Sequence, residues 1–263
     1  MPTDSTIVFP PVIAGEDLVV SATSFVAYER CPDQAGARFR GIYGPESKAS
    51  FTGNLAHRIF ARHLRQGPIG ADGLEAACRE EIGGGLNPKM AALGLKPSQL
   101  SGIIEEVGAL YERFKTYGAD GFEGAEVFLE AEPAEGVTLR GSIDAVFDSG
   151  EAGPRLVDWK TGSIGDAETQ MAFYALLWTL DRGEPPGSLE AVSVATGERV
   201  RDIPSSAAIQ QTAQRVADMI SSLRTAWKAG SDLERIAGPW CRWCPLLDEC
   251  ADGKAATAIL DGR

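Results

Sequence analysis

Two stretches decide the fold: VTLRGSIDAVFD (Val137–Asp148) and PRLVDWKTG (Pro154–Gly162). Both are rich in β-branched and aromatic residues, alternate with period two and are bounded by Gly or Pro, so each reads as a strand. In the second, Asp158 and Lys160 point to one face and Trp159 to the other. In the first, alternation puts Leu139, Ile143 and Phe147 on one face and Asp144 on the opposite one. A hairpin-like connection then brings Asp144 beside Asp158. Two adjacent carboxylates repel unless they share a divalent cation. A lysine next to them can hold a water or offset charge on a phosphate oxygen, which is the apparatus of metal-assisted phosphodiester hydrolysis. Taken alone, Asp-x-Lys is more often an exposed edge or a surface ion pair. The functional reading therefore depends on its companions.

Upstream, EVFLEAE (residues 126–132) reads as a third strand. Downstream follow a helix over Asp166–Leu180, a strand around Glu190–Val194 and a long helix over Ser205–Ala229. Before the strands the pattern is helical: SATSFVAYERCP ending at Pro32, then Phe51–Leu64, Ala71–Glu81 and Pro97–Tyr117, with breakers at residues 83–85 (GGG) and at Asn87-Pro88. This divides the chain into a helical N-terminal region (1–120), a compact α/β core (121–204) and a C-terminal helix with a cysteine tail (205–263). Gln170 and Tyr174, one turn apart after the Asp-x-Lys strand, share a helix face. Their plainer role is capping and packing. His57 follows Gly53 by one turn and is a candidate metal ligand. His63 lies six residues further on, turned by roughly 120° about the helix axis, so the two imidazoles cannot converge on one ion.

With 263 residues, 44% hydrophobic and 24% charged, the chain can bury a real core, which excludes wholesale disorder. The longest apolar run, Phe173–Leu180, is far short of the roughly 20 residues that span a bilayer. No export signal is visible in MPTDSTIVFPPVIAGEDLVV, and a cytoplasmic location is expected. A net charge of −12 argues at first against a nucleic-acid partner. Between Arg30 and Arg65, however, seven basic residues face only Asp33 and Glu46, so that segment is +5 and the remainder −17. A phosphate-binding face could use that asymmetry, although a solvated helix surface is the plainer reading.

Five cysteines, at 31, 78, 241, 244 and 250, make a disulfide scaffold a poor reading. Cys241-x2-Cys244-x5-Cys250 supplies three thiolates on a short loop, and a fourth must come from elsewhere. Cys78, inside LEAACRE, reads as a small core residue. Cys31, in a turn before Pro32, is the better candidate. Four thiolates suit zinc or an iron–sulfur cluster. One distant cysteine closing a set of three leans towards the cluster, which would staple the two ends of the chain together.

The ordered series Cys31-Pro32, Gly53-x3-His57, Gly141-x2-Asp144, Asp158-x-Lys160, Gln170-x3-Tyr174 and Cys241-x2-Cys244-x5-Cys250 resembles the RecB-like branch of the PD-(D/E)XK nucleases. Within it, the series is similar to the iron–sulfur exonucleases typified by the CRISPR-associated exonuclease and the nuclease domain of AddB. The resemblance covers roughly residues 21 to 250. It implies an α/β fold with a restriction-endonuclease-like mixed-sheet core, a helical N-terminal insertion and a C-terminal iron–sulfur region. It further implies that His57, Asp144, Asp158 and the backbone carbonyl of Trp159 bind Mg²⁺ or Mn²⁺, with the imidazole making Mn²⁺ as plausible as Mg²⁺. Lys160 would position the attacking water, and Gln170 and Tyr174 would support the site and the DNA. Cys31, Cys241, Cys244 and Cys250 would hold a [4Fe-4S] cluster. Glu130 is the candidate for a supporting acidic position, with a solvated glutamate as the plainer alternative.

The function so implied is a metal-dependent DNA exonuclease on single-stranded ends with 5′→3′ polarity. Its setting would be recombination, repair, phage DNA metabolism or CRISPR adaptation, whose proteins would be its partners. The residues themselves show neither polarity nor oligomeric state. Two rivals share these features: a non-catalytic DNA-end-binding subunit, and a zinc-stabilised adaptor whose acidic surface meets other proteins.

Overall fold

A computed structural model describes residues 7–262. After the short strand β1 (Leu18–Ser21) come α1 (Ala22–Arg30), α2 (Pro32–Phe39), α3 (Lys48–Gln66), α4 (Leu74–Glu81), α5 (Asn87–Ala92) and α6 (Pro97–Phe114). The hairpin β2 (Phe122–Ala134) and β3 (Val137–Asp148) leads to β4 (Pro154–Lys160), α7 (Ala167–Arg182), β5 (Ser188–Ser193), β6 (Arg199–Asp202), α8 (Ser206–Ala229) and α9 (Ala251–Leu260).

Local chemistry accounts for the helix boundaries. Ser21, Ser47 and Ser205 each accept a backbone N–H at the start of α1, α3 and α8, as N-caps do. Pro32 was expected only to end a helix. It also begins the next one, because at the first helical position its fixed φ and missing N–H carry no penalty. Cys31 is thereby held extended (φ −160°, ψ 108°) at the elbow between α1 and α2. The glycines at 83–85, read as a breaker, do interrupt the helical path: Gly85 is non-helical (φ 174°, ψ −4°), and the chain kinks there between α4 and α5.

Six strands form one mixed sheet in the order β1-β3-β4-β5-β6, with β2 also paired to β3. β1 and β6 were not expected; at four residues each they are too short for periodicity to reveal. β3 is the axis of the sheet. One edge carries β2, antiparallel, over nearly its whole length. The other edge is shared between β1, parallel over Val137–Arg140, and β4, antiparallel over Ala145–Asp148. β4 and β5 are parallel and joined through α7, the crossover that a parallel pair requires.

Helices cover both faces. α1, α7 and α8 bury Phe25, Phe173, Leu177 and Ile220 against Leu139, Ile143 and Leu156. On the opposite face α3 and α6 bury Phe51, Leu55, Phe60 and Phe114 against Phe147, Val157 and Trp159. Phe147 thus does not share a face with Leu139 and Ile143, as simple alternation predicted. The alternation breaks at Asp144 and, across the ladder, at Glu126, whose φ of +50° makes it the one non-glycine residue with positive φ among the described residues. Among those residues no helix is long and apolar enough to cross a membrane.

Candidate active site

β3 and β4 are paired from Asp148↔Pro154 to Ala145↔Val157 and no further. The strands part at the next two residues, Asp144 and Asp158. A parting ladder leaves backbone donors without partners, and such groups must be satisfied elsewhere. Asp144 supplies one partner itself: its Oδ2 accepts the Trp159 N–H at 2.7 Å. Its Oδ1 lies 3.1 Å from His57 Nδ1 on α3. The fork between the strands therefore places the first carboxylate.

Two glycines let the helices close on this fork. A Cβ at Gly141 would sit 3.0 Å from Tyr174 Cε1, so glycine there lets α7 approach β3. A Cβ at Gly53 would meet Thr161 Oγ1 at 3.2 Å, so α3 can settle against the loop after β4 and present His57. This is the physical content of the Gly-x2-Asp and Gly-x3-His spacings.

Asp158 is 2% exposed, and Trp159 turns the other way into the aromatic core, edge-on to Phe114 and Tyr117. Lys160 Nζ lies 2.9 Å from Asp158 Oδ2 and 2.5 Å from Gln170 Oε1. Gln170 Nε2 donates to Asp158 Oδ1 at 2.9 Å and lies 3.1 Å from the Tyr174 hydroxyl. Gln170 thus fixes the carboxylate with its amide N–H and the ammonium with its carbonyl. Tyr174 and Gln170 share a helix face, as their spacing predicts. Lys160 balances Asp158 Oδ2 by charge but donates no well-directed hydrogen bond to it. That fully buried oxygen is left without one.

Electrostatics reflect the crowding of acids. Burial, then the neighbouring Asp144, hold the Asp158 carboxyl above its ordinary range, with Lys160 and His57 pulling it down. Burial alone would lower His57. Asp144, with Asp158 and Glu126, outweighs that and raises the imidazole to about 9. Burial and the same carboxylates push the Tyr174 phenol up.

His57, Glu126 and Asp144 bring one ligand atom each within 4.8 Å of one another, the set best shaped for a cation among the described residues. An N/O donor set with two carboxylates suits Mn²⁺ or Mg²⁺. The unsatisfied Asp158 oxygen beside it fits the same purpose. Glu126 was missed, and Glu130 was the acid singled out in its stead. Glu130 faces Arg140 across the ladder and is exposed. The hairpin register could have found Glu126: Val127 pairs with Ile143, which sets Glu126 opposite Asp144. His63 is directed away, with its Nδ1 2.9 Å from the Tyr111 hydroxyl in the core.

Cys31, Cys241, Cys244 and Cys250 line one small cavity. Backbone N–H groups of Ile236, Gly238 and Gly253 point at the sulfurs of Cys31, Cys241 and Cys250, at 3.5, 3.4 and 3.3 Å. Cys78 is wholly buried in the α3–α6 core, where burial raises its thiol to about 11.

The site opens into a groove of about 850 Å³ lined by one face of α3, with Glu126, Asp144 and Thr161 at its floor. Among solved structures, one is a protein from Eubacterium rectale described as a "Putative exonuclease". It superposes with a TM-score of 0.56 at 13% identity, covering 89% of this chain and 86% of its own. That likeness extends to the fold. The crystal structure of SSO0001 covers 91% of this chain and 88% of its own at 16% identity, but its TM-score of 0.38 is too low to bear on the fold. No curated protein matches the chain. The family model for the PD-(D/E)XK nuclease superfamily matches residues 19–251. That span runs from β1 to the first residue of α9, and the chain belongs to the PD-(D/E)XK nuclease superfamily.

Proposed function

We propose that this nuclease is a divalent-metal-dependent DNA exonuclease acting on single-stranded ends, with 5′→3′ polarity, in recombination, repair, phage DNA metabolism or CRISPR adaptation. The observation that carries the reading is the convergence of Asp144, Asp158, Lys160 and Gln170 where β3 and β4 part. His57, Asp144 and Asp158, with Glu126 and the Trp159 carbonyl, would hold Mn²⁺ or Mg²⁺. A bound cation would polarise a phosphoryl oxygen and lower the pKa of a coordinated water.

The chain's own contribution is positioning and charge. Gln170 locks the Lys160 ammonium beside Asp158, so Lys160 can hold a water in line with a phosphorus atom and offset charge on a phosphoryl oxygen. Asp144 is oriented by its bond to the Trp159 N–H, and Tyr174 braces Gln170 from the helix side. Asp158 and Tyr174 are themselves buried, which strengthens the interactions made with them.

The four cysteines would hold a [4Fe-4S] cluster. Their shared cavity supports this, as do three N–H groups aimed at sulfur, contacts that tune such clusters. The cluster would tie residue 31 to the C-terminal tail as a structural staple.

The test is digestion of end-labelled single-stranded DNA with Mn²⁺, Mg²⁺ or EDTA by anaerobically purified protein, wild type against Lys160→Ala. Metal-dependent digestion lost at least about 10²-fold in the variant is expected, as when one preorganised transition-state contact is removed. The position of the surviving label reports polarity. Wild type that cuts nothing with either metal would leave the DNA-end-binding subunit as the better reading.

A further inference from the structure

The basic segment of the sequence ends in α3, and three of its seven cations line the groove that ends at the catalytic fork. Arg58, Arg62 and Arg65 stand on one side, and Lys89 faces them from α5. Each already has a partner in this structure. Arg58 Nη1 lies 3.4 Å from Glu81, and Arg62 Nη1 lies 2.6 Å from Glu80 and 3.9 Å from Glu81. Lys89 is 3.9 Å from Glu46, and Arg65 donates to the Ala125 carbonyl at 2.5 Å. An empty groove ready for a polyanion would leave these heads free.

The acids come from a different element. α4 ends with Glu80 and Glu81 and passes into residues 82–86, where the chain kinks at the non-helical Gly85. Its apolar side, through Ala77, Cys78 and Ile82, is buried in the core. That burial, rather than the half-exposed ion pairs, seats the helix, since exposed pairs contribute little. Gly85 lets the Arg58 guanidinium lie against the backbone, because a Cβ there would sit 2.6 Å from Nη2. Arg58 and Arg62 thus line the groove already paired with carboxylates, where phosphates would otherwise sit.

We infer that Glu80 and Glu81 are built-in competitors for the phosphates of a single-stranded DNA, which must displace them from Arg58 and Arg62 to enter the groove. This rests on the nuclease reading and names the residues that set its affinity for substrate. Carboxylate and phosphate oxygens engage a guanidinium in the same forked geometry, so the exchange costs little rearrangement. The device discriminates by charge density. A strand offering successive phosphates to both arginines outcompetes the two glutamates, whereas a small mono-anion does not. It also eases substrate binding by a chain of net charge −12: four cations line this one groove and are screened until a polyanion arrives.

The experiment is fluorescence anisotropy of a labelled oligothymidylate of about 15 nucleotides with the full chain in EDTA, over a series of salt concentrations. The proteins are wild type, Glu80→Gln/Glu81→Gln and Arg58→Ala/Arg62→Ala. The glutamine pair should bind several-fold tighter than wild type with an unchanged melting temperature. The alanine pair should bind more weakly and lose about 1.4 from the log–log salt slope, at roughly 0.7 per phosphate contact. Glutamine variants that bind no tighter, or that melt lower without tightening, would overturn the inference and make the glutamates part of the scaffold. Digestion by wild type with Mn²⁺ or Mg²⁺ is run in parallel. Digestion with no tightening sinks this inference alone, whereas neither digestion nor binding by wild type sinks the nuclease reading with it.

Discussion

Replacing Glu126 by glycine should stabilise the metal-free protein and weaken its hold on metal. Glu126 is held at φ +50°, in the left-handed region, where its carboxylate meets Asp144 and His57. A side chain in that region costs roughly 1–2 kcal/mol, and glycine removes the cost. Glycine in a strand gives back about 0.5–1 kcal/mol through the extra freedom of the unfolded chain. Although Glu126 is open to the groove, partial burial and the charge of Asp144 hold its carboxyl above the ordinary range. Deleting it therefore also relieves repulsion. The net expectation is a gain of up to about 1 kcal/mol, or roughly 2–4 °C for a chain of this size, measured by calorimetry in EDTA. Mn²⁺ titration of the same protein should show affinity lower by at least about tenfold, since even losing a partner behind a metal ligand costs about 10–100-fold. Glu126→Gln keeps the strained backbone and separates the two effects: affinity falls without the gain in melting temperature. A glycine variant that melts lower in EDTA, or binds Mn²⁺ like wild type, would refute the assignment of the strain to metal binding.

Other outcomes follow from the same geometry. His57 is raised to about 9 by its acidic neighbours, so the folded state holds a proton that the unfolded state releases near its ordinary value of about 6.5. Its contribution is complete below pH ~6.5 and is lost as pH rises through ~9. Melting temperatures in EDTA should decline across that window, and His57→Gln should flatten the decline; an unchanged profile in the variant would assign the slope to other groups. Gly141→Ala would press a methyl group against Tyr174 and Leu177, an overpacking that costs about 1–3 kcal/mol; a melting temperature equal to wild type would show that α7 yields freely. In metal- and cluster-free protein, brief alkylation should reach the partly exposed Cys244 and Cys250 and spare Cys78, which is buried with its thiol raised to about 11. Early labelling of Cys78, read by mass spectrometry, would contradict its place in the core.

The proposed site residues Asp144, Asp158 and Lys160 were legible in the amino-acid order because strand geometry is local. A period of two puts Asp158 and Lys160 on one face whatever surrounds them, and a turn of helix does the same for Gln170 and Tyr174. The long helices were equally plain, since each carries its own apolar stripe and, in α1, α3 and α8, its own serine cap. Three things needed the folded chain. β1 and β6 exist because neighbouring strands offer them backbone partners, not because four residues prefer to be extended. The face switch at Glu126 and Asp144 is a compromise between two cores pulling on one hairpin, and no periodicity encodes such a compromise. The pairing of Arg58 and Arg62 with Glu80 and Glu81 joins helices whose facing is set by the buried side of α4. Covalent neighbours fix which residues share a face; only packing between elements fixes which faces meet, and Glu126, brought close to His57 and Asp144, lies on the far side of that line.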